Sequence, residues 1–80
     1  MKVEVRAVGL KATRKKRSLT QRKLAHALGI SQNYIPAIEG GARHAGPKLQ
    51  ELMVEYLGCQ FEDLFEVVVV DSETGRTQVL

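Results

Sequence analysis

The apolar positions of this 80-residue chain fall into three regimes: a short alternation, a long stretch of helical spacing, and a β-branched run near the end. Val3 and Val5 alternate with Lys2, Glu4 and Arg6, the period of a short half-buried strand, though the same residues also suit an early extension of the first helix. From about Ala7 to Arg17 the spacing is helical, with Val8, Leu10 and Thr13 facing inward and Lys11, Arg14, Lys15 and Arg17 mostly outward. Thr20 then has the chemistry of an N-cap, since its hydroxyl can accept a first-turn amide. The helix it opens runs to about Leu28, with Leu24, Ala25 and Leu28 as its inner stripe and Gly29 as its stop.

After only Gly29 and Ile30, Ser31 is a second N-cap, and the spacing predicts a helix over about 31–40 with Ile35 and Ile38 inward. Gly40 and Gly41 end it, and Ala42 to Gly46 is a loop. Pro47 suits the first turn of a fourth helix carrying Leu49, Leu52, Met53, Tyr56 and Leu57, closed by Gly58. Gln60 caps a short fifth helix containing Phe61, Leu64 and Phe65. The four successive valines Val67 to Val70 suggest a strand buried on both faces; Asp71 to Gly75 supply turn chemistry, and Arg76 to Leu80 complete a hairpin. Because an isolated hairpin is marginal in water, this one should pair with the N-terminal strand, the helical body or a second subunit.

The expected fold is therefore mainly α, a single domain over 1–80 with a five-helix core at 6–65 and a C-terminal β-hairpin at 66–80. Composition fits a soluble globular protein, and no apolar run approaches the roughly 20 residues of a membrane span. Met1 to Gly9 lacks the apolar centre of a signal peptide, so a cytoplasmic location is expected. Cys59 is the only cysteine, which excludes an internal disulfide and any CxxC spacing and leaves a buried structural thiol. His26 and His44 have no patterned carboxylate partner and are expected at the surface, so neither a metal nor a cofactor is expected. No nucleophile and base are suitably spaced, and GGARHAG lacks the Lys-Ser/Thr ending of a phosphate loop; the chain is not expected to be an enzyme.

Charge sharpens the picture. Residues 5–38 hold eight Lys or Arg and no acid, whereas residues 39–80 hold three against eight, so a net charge of +3 conceals parts of +8 and −5. A basic block of this kind suits a polyanion: DNA, RNA or an anionic membrane surface. The chain shows no aromatic stacking set for RNA.

Within the basic part, Gln21 to Gly40 has the residues that a tight crossing of two helices needs. Ala25 is small enough for close approach, Gly29 can adopt positive φ, Ile30 can plug the turn, and Leu24, Leu28, Ile35 and Ile38 can join the helices. An ordinary helical hairpin would share that periodicity without needing the basic charge. The segment LTQRKLAHALGISQNYIPAIEGG resembles the Cro/C1-type, Xre-like helix-turn-helix family of lambda-repressor-like DNA-binding domains. The resemblance runs from about Leu10 through LGCQFEDLF at 57–65 and rests on the TQ opening, the LAxxLGIS turn, the IxxIEGG ending and the closing LGCxxxDLF.

That resemblance implies a role for particular residues. Gln32 and Asn33 would face base edges, where an amide can bond adenine N6 and N7, and Ala37 would offer its methyl to thymine. Gln21 would bond a phosphate, helped by the positive end of its helix; Ser31, Tyr34 and Arg43 would also reach the backbone, and Arg17, Arg22 and Lys23 would add attraction or simply be solvated. Arg14 and Glu39 would form a structural salt bridge between the first helix and the end of the second motif helix. The chain departs from the family pattern at Thr13, a position usually apolar, and at Pro36, about the fifth residue of the second motif helix, where a bend or a tightened first turn is expected.

The implied activity is equilibrium binding of a homodimer to a roughly palindromic double-stranded DNA operator, regulating transcription, most simply as a repressor. Val67, Val68, Val69, Val70 and Val79 are the candidate dimerisation residues, the alternative being that the hairpin only caps its own core. A competing reading is an antitoxin-type DNA-binding protein whose hairpin binds a partner protein.

Overall fold

Residues near both ends of the chain meet in one antiparallel sheet, and the helices fill the span between them. The computed structural model describes residues 1–80, in the order β1 (Lys2–Arg6), α1 (Leu10–Lys16), α2 (Gln21–Leu28), α3 (Tyr34–Glu39), α4 (Pro47–Leu57), α5 (Phe61–Leu64), β2 (Glu66–Val70) and β3 (Thr77–Val79). The strand order is β1-β2-β3. The N-terminal alternation is thus a strand, and the hairpin finds its third strand within the same chain. Lys2 pairs with Val70 and Arg6 with Glu66, while Val68 pairs with Val79 on the other side. No helix is long and apolar enough to cross a membrane.

Opposed residues in an antiparallel pair share a face. The register therefore puts Glu4, Val68 and Val79 on one side and Val3, Val5, Val67 and Val69 on the other. The four valines do not bury both faces of their strand: only Val68 is buried, and Val67, Val69 and Val70 stay half-buried. A sheet of three short strands has too little cover for more.

Leu10, Leu24, Ala25, Leu28, Ile35, Ile38, Met53, Leu57, Leu64 and Phe65 form the continuous core, joined by Ala45 from the loop before α4. Leu52 and Tyr56, assigned by spacing to the inner face of α4, are exposed instead, because the helix buries the narrower stripe of Met53 and Leu57. The Phe61 and Phe65 rings lie 5.1 Å apart, and Gln60 and Asp63 close a capping box at the start of α5.

The first helix begins at Leu10 and not near Ala7, and Val8 is exposed. The reason is Gly9, whose N–H donates to the Leu64 carbonyl at 3.0 Å and so binds the entry of α1 to the exit of α5. A Cβ on residue 9 would stand 1.9 Å from the Asp63 carbonyl oxygen, which is backbone and has no easy escape. Gly9→Ala is expected to cost about 1–3 kcal/mol, the usual range for overpacking. An unchanged urea midpoint for this variant would contradict the close approach.

Candidate nucleic-acid interface

The crossing of α2 and α3 is built from small local devices. Thr20 Oγ1 accepts the Lys23 N–H at 3.0 Å, capping α2. Gly29 closes that helix in the left-handed region at φ 71°, and the Ile30 N–H returns to the Ala25 carbonyl at 3.0 Å. Ala25 is buried, so no side chain holds the helices apart. Ile30 packs half-buried against the core, and Ile35 and Ile38 anchor the inner side of α3.

The second motif helix starts later than its sequence suggests. Ser31, Gln32 and Asn33 form an exposed turn in which the Tyr34 N–H bonds the Ser31 carbonyl at 3.0 Å, and regular α-helix begins at Tyr34. Ser31 is not the N-cap; its hydroxyl lies 3.4 Å from the Asn33 amide, a long contact. This start explains how Pro36 is tolerated. It becomes the third residue of α3, within the first turn, where an amide has no intrahelical acceptor to lose. Its carbonyl still accepts from Gly40 at 2.9 Å. Gln32 and Asn33 therefore project from the turn ahead of the helix and not from its first regular turn.

Behind this surface lies one buried polar cluster. Arg14 Nε and Nη2 donate to the two Glu39 carboxylate oxygens at 2.7 and 3.2 Å, and Nη1 donates to the Leu19 carbonyl at 2.7 Å. Charge patterning would turn Arg14 outward, yet its side chain is only 7% exposed and that of Glu39 only 4%. The pairing outweighs the solvation that Arg14 would gain outside, and the fork ties α1 to the end of α3. Gln21 Nε2 adds a bond to Glu39 Oε1 at 3.0 Å, so one hydrogen of the amide expected to meet a phosphate is already engaged within the protein. Burial pushes the Glu39 carboxyl up, but hydrogen bonds from Arg14 and Gln21 and the Arg14 charge outweigh it and hold the carboxyl below its ordinary value.

The outer side of α3 carries a second cluster. Arg43 Nη1 donates to the Tyr34 hydroxyl, with Arg43 Cζ 4.7 Å from the centre of the Tyr34 ring. The Ala42 and Arg43 amides both return to the Ala37 carbonyl, at 2.9 and 3.1 Å, leaving Ala37 half-buried. Arg22 and Lys23 stand exposed on the first turn of α2. Arg17 is also exposed, but its charge acts on the Cys59 thiol, which burial and Asp63 push up and Arg17 partly restores. No three His, Cys, Asp or Glu side chains are grouped to hold a metal ion.

A helix-turn-helix family profile matches residues 10–64. The chain belongs to the Cro/C1-type helix-turn-helix family. This helix-turn-helix chain is similar in structure to the clp gene regulator ClgR from C. glutamicum, with a TM-score of 0.64 and 27% identity over 70% of this chain and 73% of that one. It also shares its fold with the transcriptional regulator VanUg, with a TM-score of 0.67 and 22% identity over 84% of this chain and 88% of that one. No curated protein matches it significantly in sequence.

In the helix-turn-helix frame, the expected base-facing residues Gln32 and Asn33 are exposed together, with Tyr34 and Arg43 beside them. The cations Lys11, Lys15, Lys16, Arg17, Arg22 and Lys23 have no ion-pair partner, and Glu39, the acid at the end of α3, is taken by Arg14. Of the candidate dimerisation residues, Val68 is covered within its own chain, Val67, Val69 and Val70 are half-buried, and Val79 is 58% exposed.

Proposed function

We propose that this chain is a sequence-specific, double-stranded DNA-binding transcriptional regulator acting as a homodimer, most simply a repressor that occupies its operator. The observation that carries this reading is the exposed Gln32–Asn33 turn, set at the head of α3 and backed by the buried Arg14–Glu39 fork, on an acid-free basic stretch. The two structural neighbours bear regulator names, which supports the regulatory part. In this reading, amide side chains bond base edges in the major groove, and Arg22 and Lys23 act on phosphates without base preference. The activity is binding alone, with no catalytic step.

The proposed dimer uses the free edge of β3. Gln78 pairs with Val69 and the Leu80 N–H bonds the Val67 carbonyl, so the backbone groups of Thr77 and Val79 point away from the sheet. A two-fold axis near Gln78 would let Thr77 of each copy pair with Val79 of the other, a self-complementary contact. The edge strand β1 carries Lys2, Glu4 and Arg6, charges that discourage such pairing, whereas Thr77–Val79 carries none. Half-sites would then lie about 34 Å apart.

The test is selection of bound duplexes from a randomised pool, at two salt concentrations, with wild type and Gln32→Ala plus Asn33→Ala. Wild type is expected to enrich a palindromic site. Each lost base contact should cost about 1–3 kcal/mol of discrimination, so the double variant relaxes the site. Weak, sequence-blind binding unchanged by the substitutions would reject specific recognition and turn the search to a partner protein for the hairpin.

A further inference from the structure

We propose that Tyr34 and Arg43 form one preset unit in which Tyr34 is a positioning residue and Arg43 reads a guanine. The proposal rests on the DNA-binding reading above and assigns these two residues a joint role in place of separate backbone contacts. Three observations carry it. The Arg43 backbone amide is fixed to the Ala37 carbonyl at 3.1 Å, in the middle of α3. From there the side chain runs back along the helix, donating to the hydroxyl of Tyr34 at its first residue, with the guanidinium carbon 4.7 Å from the ring centre. The ring itself is half-buried and packed against the core, so its position is set by the protein interior.

A free arginine on a loop would sweep a wide volume and lose that freedom on binding. Here the hydroxyl takes one N–H and the ring one face, and the remaining donors of the planar fork have no partner within the protein. Adjacent guanidinium donors match the O6 and N7 acceptors on the major-groove edge of guanine. The fork sits against Tyr34, the first residue of α3, so it travels wherever α3 is carried. An arginine that leaned away from α3 would instead be placed for the phosphates flanking the groove.

The experiment measures equilibrium binding of the full chain to its selected site and to every single-base substitution of that site, for wild type, Arg43→Ala, Arg43→Lys, Tyr34→Phe and the double variant Tyr34→Phe plus Arg43→Ala. At one G·C pair in each half-site, discrimination should fall about 5- to 150-fold in both Arg43 variants, the loss that a bidentate base contact represents. Lysine should not rescue it, because it lacks the fork. Tyr34→Phe keeps the ring but removes the acceptor; it should weaken discrimination at the same base pair and change nothing further once Arg43 is alanine. If the Arg43 variants lose affinity evenly on all sequences and the salt dependence becomes shallower, Arg43 is a phosphate contact and the proposal fails while operator binding stands. Losses from Tyr34→Phe that simply multiply with those from Arg43→Ala would overturn the positioning role. A wild-type chain that selects no sequence at all would overturn both the proposal and the reading beneath it.

Discussion

Arg14→Ala is expected to destabilise the protein by about 3–5 kcal/mol, the usual consequence of leaving one member of a buried pair without its partner. The Glu39 carboxylate would keep only the Gln21 amide, and the Leu19 carbonyl would lose its guanidinium donor. For 80 residues the whole stability is about 4–12 kcal/mol at roughly 0.05–0.15 kcal/mol per residue, so this one change removes a large part of it. Urea unfolding followed by circular dichroism measures the loss. Replacing both partners, Arg14→Met with Glu39→Leu, should recover much of it, since no unpaired charge is then buried. A loss below about 1 kcal/mol for Arg14→Ala would place the pair among ordinary surface bridges.

Acid provides an independent check on the same pair. The Glu39 carboxyl is held below its ordinary value of 4.5, so its contribution is fully present above that pH and declines as pH falls through the lower folded value. The double apolar variant should lack this part of the acid sensitivity. Equal acid sensitivity in both proteins would remove Glu39 from the account.

Ile35→Ala has the second largest expected effect, about 2–5 kcal/mol, combining lost burial with the cavity left behind. Ile35 has no exposed surface and is the anchor by which the first turn of α3 grips the core. Ile35→Val should cost only about 0.5–1.5 kcal/mol, because the β-branched shape and most of the volume remain. Because the same side chain fixes the tilt of α3, the alanine variant should also bind DNA more weakly than its folded fraction explains. Thermal unfolding with and without the selected duplex separates the two effects. A near-neutral alanine variant would show that α3 is held mainly by its glycines and the Arg14 fork.

The helical frame was legible in the sequence because its punctuation is local. Thr20, Gly29, Pro47 and Gly58 each act within one turn of the chain, and the structure uses all four where expected. Limits that depended on distant contacts were not legible: the entry of α1 is set by a carbonyl of residue 64, and the outward turn of Leu52 and Tyr56 by how narrow a stripe α4 buries. Spacing alone put Arg14 outside, and only the resemblance paired it with Glu39. At the candidate site, Pro36 was visible as an irregularity, but the compensation was a later helix start over residues 31–33, which no residue type announces. The Tyr34–Arg43 pair was hidden for a different reason: the intervening glycines reverse the chain, so sequence separation says little about distance.

The pairing of β1 with β2 also sets an order of events during synthesis. Arg6 cannot meet Glu66 until the intervening residues have been made, which at about 5–20 residues per second takes roughly 3–12 s. Helix formation and short-range packing need microseconds to milliseconds. Strand β1 can therefore pair with β2 only after the residues of all five helices have been made, and β3 joins on the far side of β2.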